Sequence, residues 1–316
     1  MTACPGCGRL LHSERLKALA QAAREAGDRG DIPAALASWR DALELLPANS
    51  RQHDTISATI TALGGQLSAA PGGPKPSPGS GNPALRVATG VGAIGLMLWK
   101  LKTLFFGLTK GTTFLSMLLS LGVYWTVWGW KFAMGLVLSI YVHEMGHVIT
   151  LRRYGFKATA PMFIPGFGAL IRLQQQVVNA REDAEIGLAG PIYGLGAACA
   201  ALGLWFATHQ PIFAAIAGVG AWINLFNLLP FGTLDGGRGF HAMSRLQKFL
   251  AVAAVAGAFF LTTDGLLVLL GLVCIGRAMG DKSNQQGSWK AAITYAILVL
   301  TLAALSTVRF QAGAGR

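Results

Sequence analysis

Charge is scarce in this chain. Of its 316 residues only 13% are Asp, Glu, Lys or Arg, whereas 53% are hydrophobic, and the mean hydropathy is +0.48. That balance excludes an ordinary soluble globular protein. Several apolar runs instead approach the ~20 residues that a helix needs to cross a bilayer, so a polytopic membrane protein is expected. Acidic residues are scarcer still, 14 against 26 basic ones, which leaves a net charge of +12. Such an excess could suit nucleic acid. Here the bases gather at the ends of apolar runs (Arg152, Arg153 and Lys157; Arg238, Arg245 and Lys248), as the positive-inside rule requires. A lipid bilayer is the expected partner, and nucleic acid is not.

The first eighty residues lack a long apolar run, so no cleavable signal peptide is expected. Cysteine is nearly missing, with four residues in all. Cys199 and Cys274 lie in apolar helices and read as packing residues. Cys4 and Cys7 form CPGCG, half of a zinc ribbon, and no second pair follows to complete the usual four ligands. His12 or His53 could fill the set, giving a second, structural zinc. A reduced pair without metal fits equally well. Reduced thiols suit a cytosolic N-terminus in either case.

Residues 14–68 follow a helical pattern. The first helix ends near Gly27, GDRGD makes the turn, and a second helix carries Ala35, Trp39 and Ala42 before Pro47 stops it. Those intervals are similar to half of a tetratricopeptide repeat, and residues 51–68 supply a covering helix. A plain amphipathic hairpin explains the same pattern. We expect residues 1–67 to form a small soluble helical domain that offers a surface to a protein partner. The stretch SAAPGGPKPSPGSGNPA, residues 68–84, reads as a flexible linker. Residues 85–316 form the membrane domain.

Within that domain, residues 85–108 are apolar but interrupted by Lys100 and Lys102, and crossing versus lying at the interface stays open. Spans are expected at 112–130, 131–151, 184–208, 212–229 and 291–308. Residues 249–279 exceed one span, and TTDG at 262–265 either turns the chain or does not; the positive-inside rule favours the turn. Six or seven crossings follow. APMFIPGFGALIRLQ, residues 160–174, is too broken by Pro and Gly for a helix and too apolar for a surface loop. Irregular backbone at membrane depth is tolerated only when covered by protein or lining a wet cavity. The expected fold is therefore all-α and polytopic, with a short re-entrant β-hairpin. Gly190, Gly194 and Gly203 are expected to let helices pack closely.

YVHEMGHVIT, residues 141–150, sets two histidines and a glutamate inside such a run. Ionisable groups at membrane depth are costly and point to function. On a helix, positions i and i+4 share a face, so His143 and His147 can present two imidazoles to one ion with Glu144 beside them. HExxH is the zinc-protease pattern, in which the glutamate takes a proton from an activated water. His147 lies five residues before Arg152, about 7.5 Å along the axis, so the site is expected below but near one membrane surface. A third ligand is required. NLFNLLPFGTLDGGR, residues 224–238, brings Asp235 and Asn227 to the same face after two intervening crossings.

HEMGH followed by NLLPFGTLDGG resembles the site-2 protease family of intramembrane zinc metalloproteases, over roughly residues 112–245 and including LAGP at 188–191. The resemblance implies that His143, His147 and Asp235 bind one catalytic zinc. It further implies that Glu144 is the base and that Asn227 steadies the oxyanion. The implied activity is hydrolysis of peptide bonds in membrane-spanning substrates, in a bacterial-type inner or cell membrane. The chain departs from the family by showing no PDZ-like insertion. Two other classes compete: a metal transporter or sensor, for which Glu144→Gln would alter metal flux, and a scaffold with a vestigial metal site. His209, in a short loop, and His241, after the LDGG turn, read as structural or surface groups. Glu182, Asp183 and Glu185 suit a helix N-terminus without any catalytic role.

Overall fold

The computed structural model describes residues 12–48, 50–69, 111–156, 162–164, 168–170, 179–232, 234–280 and 287–308. Cys4, Cys7, the region 85–108 and most of the 68–84 linker lie outside these. Residues 68 and 69 are the exception, because they extend a helix that the sequence ends one residue earlier.

Three helices come first: α1 (Ser13–Asp28), α2 (Ile32–Glu44) and α3 (Arg51–Ala69). Asp31 caps α2 by accepting from the Ala34 N–H, and Pro33 sits in its first turn, where its missing N–H costs nothing. Ala35 and Ala42 are fully buried, and these small side chains let α1 and α3 close on α2.

The apolar helices follow as α4 (Gly111–Trp128), α5 (Trp130–Arg153), α6 (Ala180–Thr208), α7 (Pro211–Asn227), the short α8 (Asp235–His241), α9 (Arg245–Thr262), α10 (Gly265–Gly280) and α11 (Trp289–Ser306). Four of them, α5, α6, α9 and α11, are long and apolar enough to span a bilayer, and α4, α7 and α10 hold shorter apolar stretches. Large side chains such as Leu138, Phe206, Phe260, Leu261 and Leu272 face outward, where lipid can receive them. This is a multi-pass membrane protein. The chain does turn at TTDG: Thr263 takes a left-handed backbone and Asp264 accepts from the Leu266 N–H. The halves are 18 and 16 residues long, hence about 27 and 24 Å, longer than the sequence alone suggests. Between α5 and α6, β1 (Met162–Ile164) pairs antiparallel with β2 (Gly168–Leu170), Phe163 opposite Ala169. β1 lies along α4 and β2 along α5.

The N-terminal helices do not stand apart from this body. Leu36 and Ile60 join Leu151, Tyr154, Phe156 and Ile186 in one buried cluster, so α2 and α3 cover the end of α5 and the start of α6. Gly155 (φ +71) permits a close backbone approach: a Cβ there would meet Ala37 N and Pro33 O at 2.6 Å.

Candidate metal centre

His143 and His147 lie one turn apart on the buried face of α5, with their Nε2 atoms 3.2 Å from each other. Asp235, the first residue of α8 rather than part of a loose turn, reaches between them. One carboxylate oxygen is 3.0 Å from His143 Nε2 and the other 3.2 Å from His147 Nε2. All three residues can offer a ligand atom within one 4.8 Å group. Four ligands placed tetrahedrally at zinc distances are separated by about 3.3 Å, close to the spacing found. Glu144 is buried beside them at 6% exposure.

The outward nitrogens fix the orientation of both rings. His147 Nδ1 lies 2.7 Å from the Ile186 carbonyl, which can only accept, so Nδ1 carries the hydrogen. His143 Nδ1 lies 2.7 Å from Asn224 Oδ1, and the Asn224 amide nitrogen donates to the Gly220 carbonyl at 2.7 Å, which sets the amide orientation. His143 therefore donates through Nδ1 as well. Each ring then turns its Nε2 toward the other ring and toward a carboxylate oxygen. Two imidazole nitrogens and a carboxylate converging on one buried point form a donor set that could hold a cation. The donor set of two imidazoles and one carboxylate suits zinc with one position left open.

α6 forms the wall of this site. A Cβ on Gly190 would strike the Nε2 atoms of both histidines, and one on Gly194 would strike the Asn224 amide. On Gly187 it would meet the Arg238 Cβ at 2.6 Å, while the glycine of HEMGH, Gly146, faces the Ala189 carbonyl at 2.5 Å. The small residues of α6 thus do more than let helices touch, because they leave room for the site. Pattern reading missed Asn224 as well. Its signal was there, a polar residue in the apolar run NLFN. Asn227 lies half-buried at the end of α7, one turn beyond it. His209 and His241 are both exposed.

The acidic first turn of α6 also holds more than a helix end. Glu182 pairs with Arg40 at 2.7 Å and Asp183 with Arg238 at 2.7 Å. Glu185 accepts from the Tyr154 hydroxyl at 2.6 Å and from Lys290 at 2.9 Å.

Fold and site together define a class, a multi-pass membrane protein with a metal-type donor set enclosed by its helices. Comparison with known proteins narrows it. The sequence model of peptidase family M50 matches residues 131–209, which contain HEMGH, the hairpin and LAGP. Rip3 of Mycobacterium tuberculosis, named as a zinc metalloprotease, is 29% identical over 191 residues, covering 58% of this chain and 46% of that protein. The zinc metalloprotease MJ0392 of Methanocaldococcus jannaschii is 24% identical over 144 residues, 44% of this chain and 42% of that protein. EGY2 of Arabidopsis thaliana, named as a chloroplastic zinc metalloprotease, is 25% identical over 145 residues, 32% of this chain and 26% of that one. The chain thus spans less than half the length of these relatives. No solved structure matches. Over residues 131–209 the chain is thus similar to peptidase family M50, the zinc metalloproteases to which the site-2 proteases belong.

Proposed function

We propose that this protein is an intramembrane zinc endopeptidase that hydrolyses peptide bonds of membrane-spanning substrates. The observation that carries the reading is the convergence of two imidazole Nε2 atoms and the Asp235 carboxylate on one buried point. His143, His147 and Asp235 would hold the metal. Zinc bound there supplies Lewis acidity to a water and to the scissile carbonyl. Glu144 accepts the proton from the attacking water and delivers it to the leaving amine. The Asn227 amide donates to the oxyanion that develops on the carbonyl, in a site where low dielectric strengthens that bond. Asn224 and the Ile186 carbonyl keep the two rings turned so that Nε2 faces inward.

A substrate helix hides its own carbonyls and must unwind before attack. β1 and β2 are placed beside α4 and α5, and we read them as a re-entrant hairpin that captures the unwound segment by strand addition. Proline substitutions along Phe163–Ile171 should then cut proteolysis and leave zinc in place. Basic groups gather at the end of the body that carries the N-terminal helices, with Arg153 donating to the Leu67 carbonyl and Arg277 to that of Pro230. This favours a cytosolic N-terminal domain (residues 1–67) that meets a protein partner, joined by the 68–84 linker to the protease body at 85–316 in a bacterial-type inner or cell membrane. A structural zinc at Cys4 and Cys7 would be a separate site.

The test is a trapping experiment. Glu144→Gln protein is expressed in native membranes, and membrane proteins that accumulate uncut on it are recovered. The expected result is retained zinc, no cleavage, and captured proteins that wild-type enzyme cuts. Metal flux that changes in Glu144→Gln, with no cleavage by wild type, would instead support transport.

A further inference from the structure

Arg40 belongs to the N-terminal helices, yet its guanidinium ties together the two elements that hold His147. Its Nη2 meets Glu182 at 2.7 Å, and its Nε donates to the Tyr154 carbonyl at 3.1 Å. The Phe156 ring lies under it, 3.6 Å from centroid to Cζ. Arg40 and Glu182 are 3% and 1% exposed, so the pair is held in a fixed position. Tyr154 is the C-cap of α5, seven residues beyond His147 and about 10.5 Å along the same axis. Glu182 lies one turn before Ile186, whose carbonyl receives the His147 Nδ1–H. The Tyr154 hydroxyl adds a second strut to the same turn through Glu185. From α3, Gly64 closes directly on the Glu182 carboxylate, leaving no room for a side chain. Two N-terminal helices therefore grip the turn of α6 that orients one of the histidines.

We propose that Arg40 is a positioning residue for the metal centre: by cross-linking the end of α5 to the first turn of α6, it maintains the His147 Nδ1–Ile186 carbonyl bond and hence the geometry of the zinc ligand. The N-terminal helical domain is then part of the catalytic body's support. The proposal rests on the zinc-site reading above. Loss of a group that holds a metal ligand in place typically weakens metal binding 10- to 100-fold.

The experiment uses full-length protein in detergent and follows zinc release to a chelator, with the absorption spectrum of the cobalt-substituted form as a second readout. Arg40→Met alone would strand a buried carboxylate and risk misfolding, so it is combined with Glu182→Gln. The double variant should release zinc at least tenfold faster than wild type and shift the cobalt bands, with cleavage recovering in excess zinc. Arg40→Lys, which keeps charge but lacks the planar fork, should fall between. Leu270→Ala, in the distant α9–α11 core, is the control for general loosening and should leave zinc release unchanged. Release from the double variant within twofold of wild type overturns the proposal while the protease reading stands. Equal acceleration by Leu270→Ala overturns it too. Wild-type protein that holds no zinc overturns both.

Discussion

Two halves of the membrane body pack by opposite means. Around the histidines, α5, α6, α7 and α8 meet through glycines, and the space so released is filled by polar groups: two imidazoles, Asp235, Glu144 and Asn224. On the far side, α9, α10 and α11 meet through Leu, Val and Ala, with Leu270, Val299 and Leu302 fully buried. Its polar groups include Tyr295, which donates to the Leu228 carbonyl at 2.7 Å, and Gln247 and Lys248, buried at the start of α9. In lipid, helices gain little from the hydrophobic effect on meeting, so fit and hydrogen bonds decide their association. The far half packs chiefly by that fit. The near half gives up some of it to hold groups that lipid would reject. Changes in the near half should therefore cost function before stability, and changes in the far half the reverse.

The strongest way to break this comparison is Glu144→Gln. Cleavage of a membrane-spanning reporter should fall by roughly 10²- to 10⁴-fold, the usual contribution of a general base, with zinc content and thermal stability unchanged. The mirror case is Leu270→Ala. The cavity should cost on the order of 2 kcal/mol, the low end of the usual range because burial from lipid adds little. Thermal unfolding should shift while zinc stays bound.

Asn224→Ala sharpens the boundary between the halves. It frees the His143 ring, so chelator competition should show zinc binding weakened about 10- to 100-fold, with a smaller effect on unfolding. Gly190→Ala should act in the same direction, because its methyl group would press on both rings. The smallest effect is expected for His241→Ala. This residue is exposed, and stability should change by less than about 0.5 kcal/mol with cleavage intact.

Parts of this arrangement were legible in the sequence because they are local. Helical spacing alone places His143 and His147 on one face, and the placement of the basic loops favoured the turn at TTDG over an unbroken helix. The pairing of Asp235 with the histidines depends on a distant segment and came into view through resemblance to a family. What escaped sequence reading was set by which face of a helix meets which neighbour. Asn224 was passed over within NLFN in favour of Asn227, which lies a turn further on. Gly190 looked like a packing glycine, although its partners are the metal-facing nitrogens. Glu182 looked like a favourable charge at a helix start, and its partner Arg40 lies across a linker in a segment that read as an independent domain. No local pattern announces such a contact.

The central claim is that His143, His147 and Asp235 hold one zinc ion between them. It is tested most directly by the metal content of full-length protein carrying Cys4→Ser and Cys7→Ser, measured beside the same protein with Asp235→Ala added. The account predicts about one zinc per chain in the first and a nearly complete loss in the second. Zinc that disappears with the cysteines, or that survives the loss of Asp235 undiminished, would contradict it.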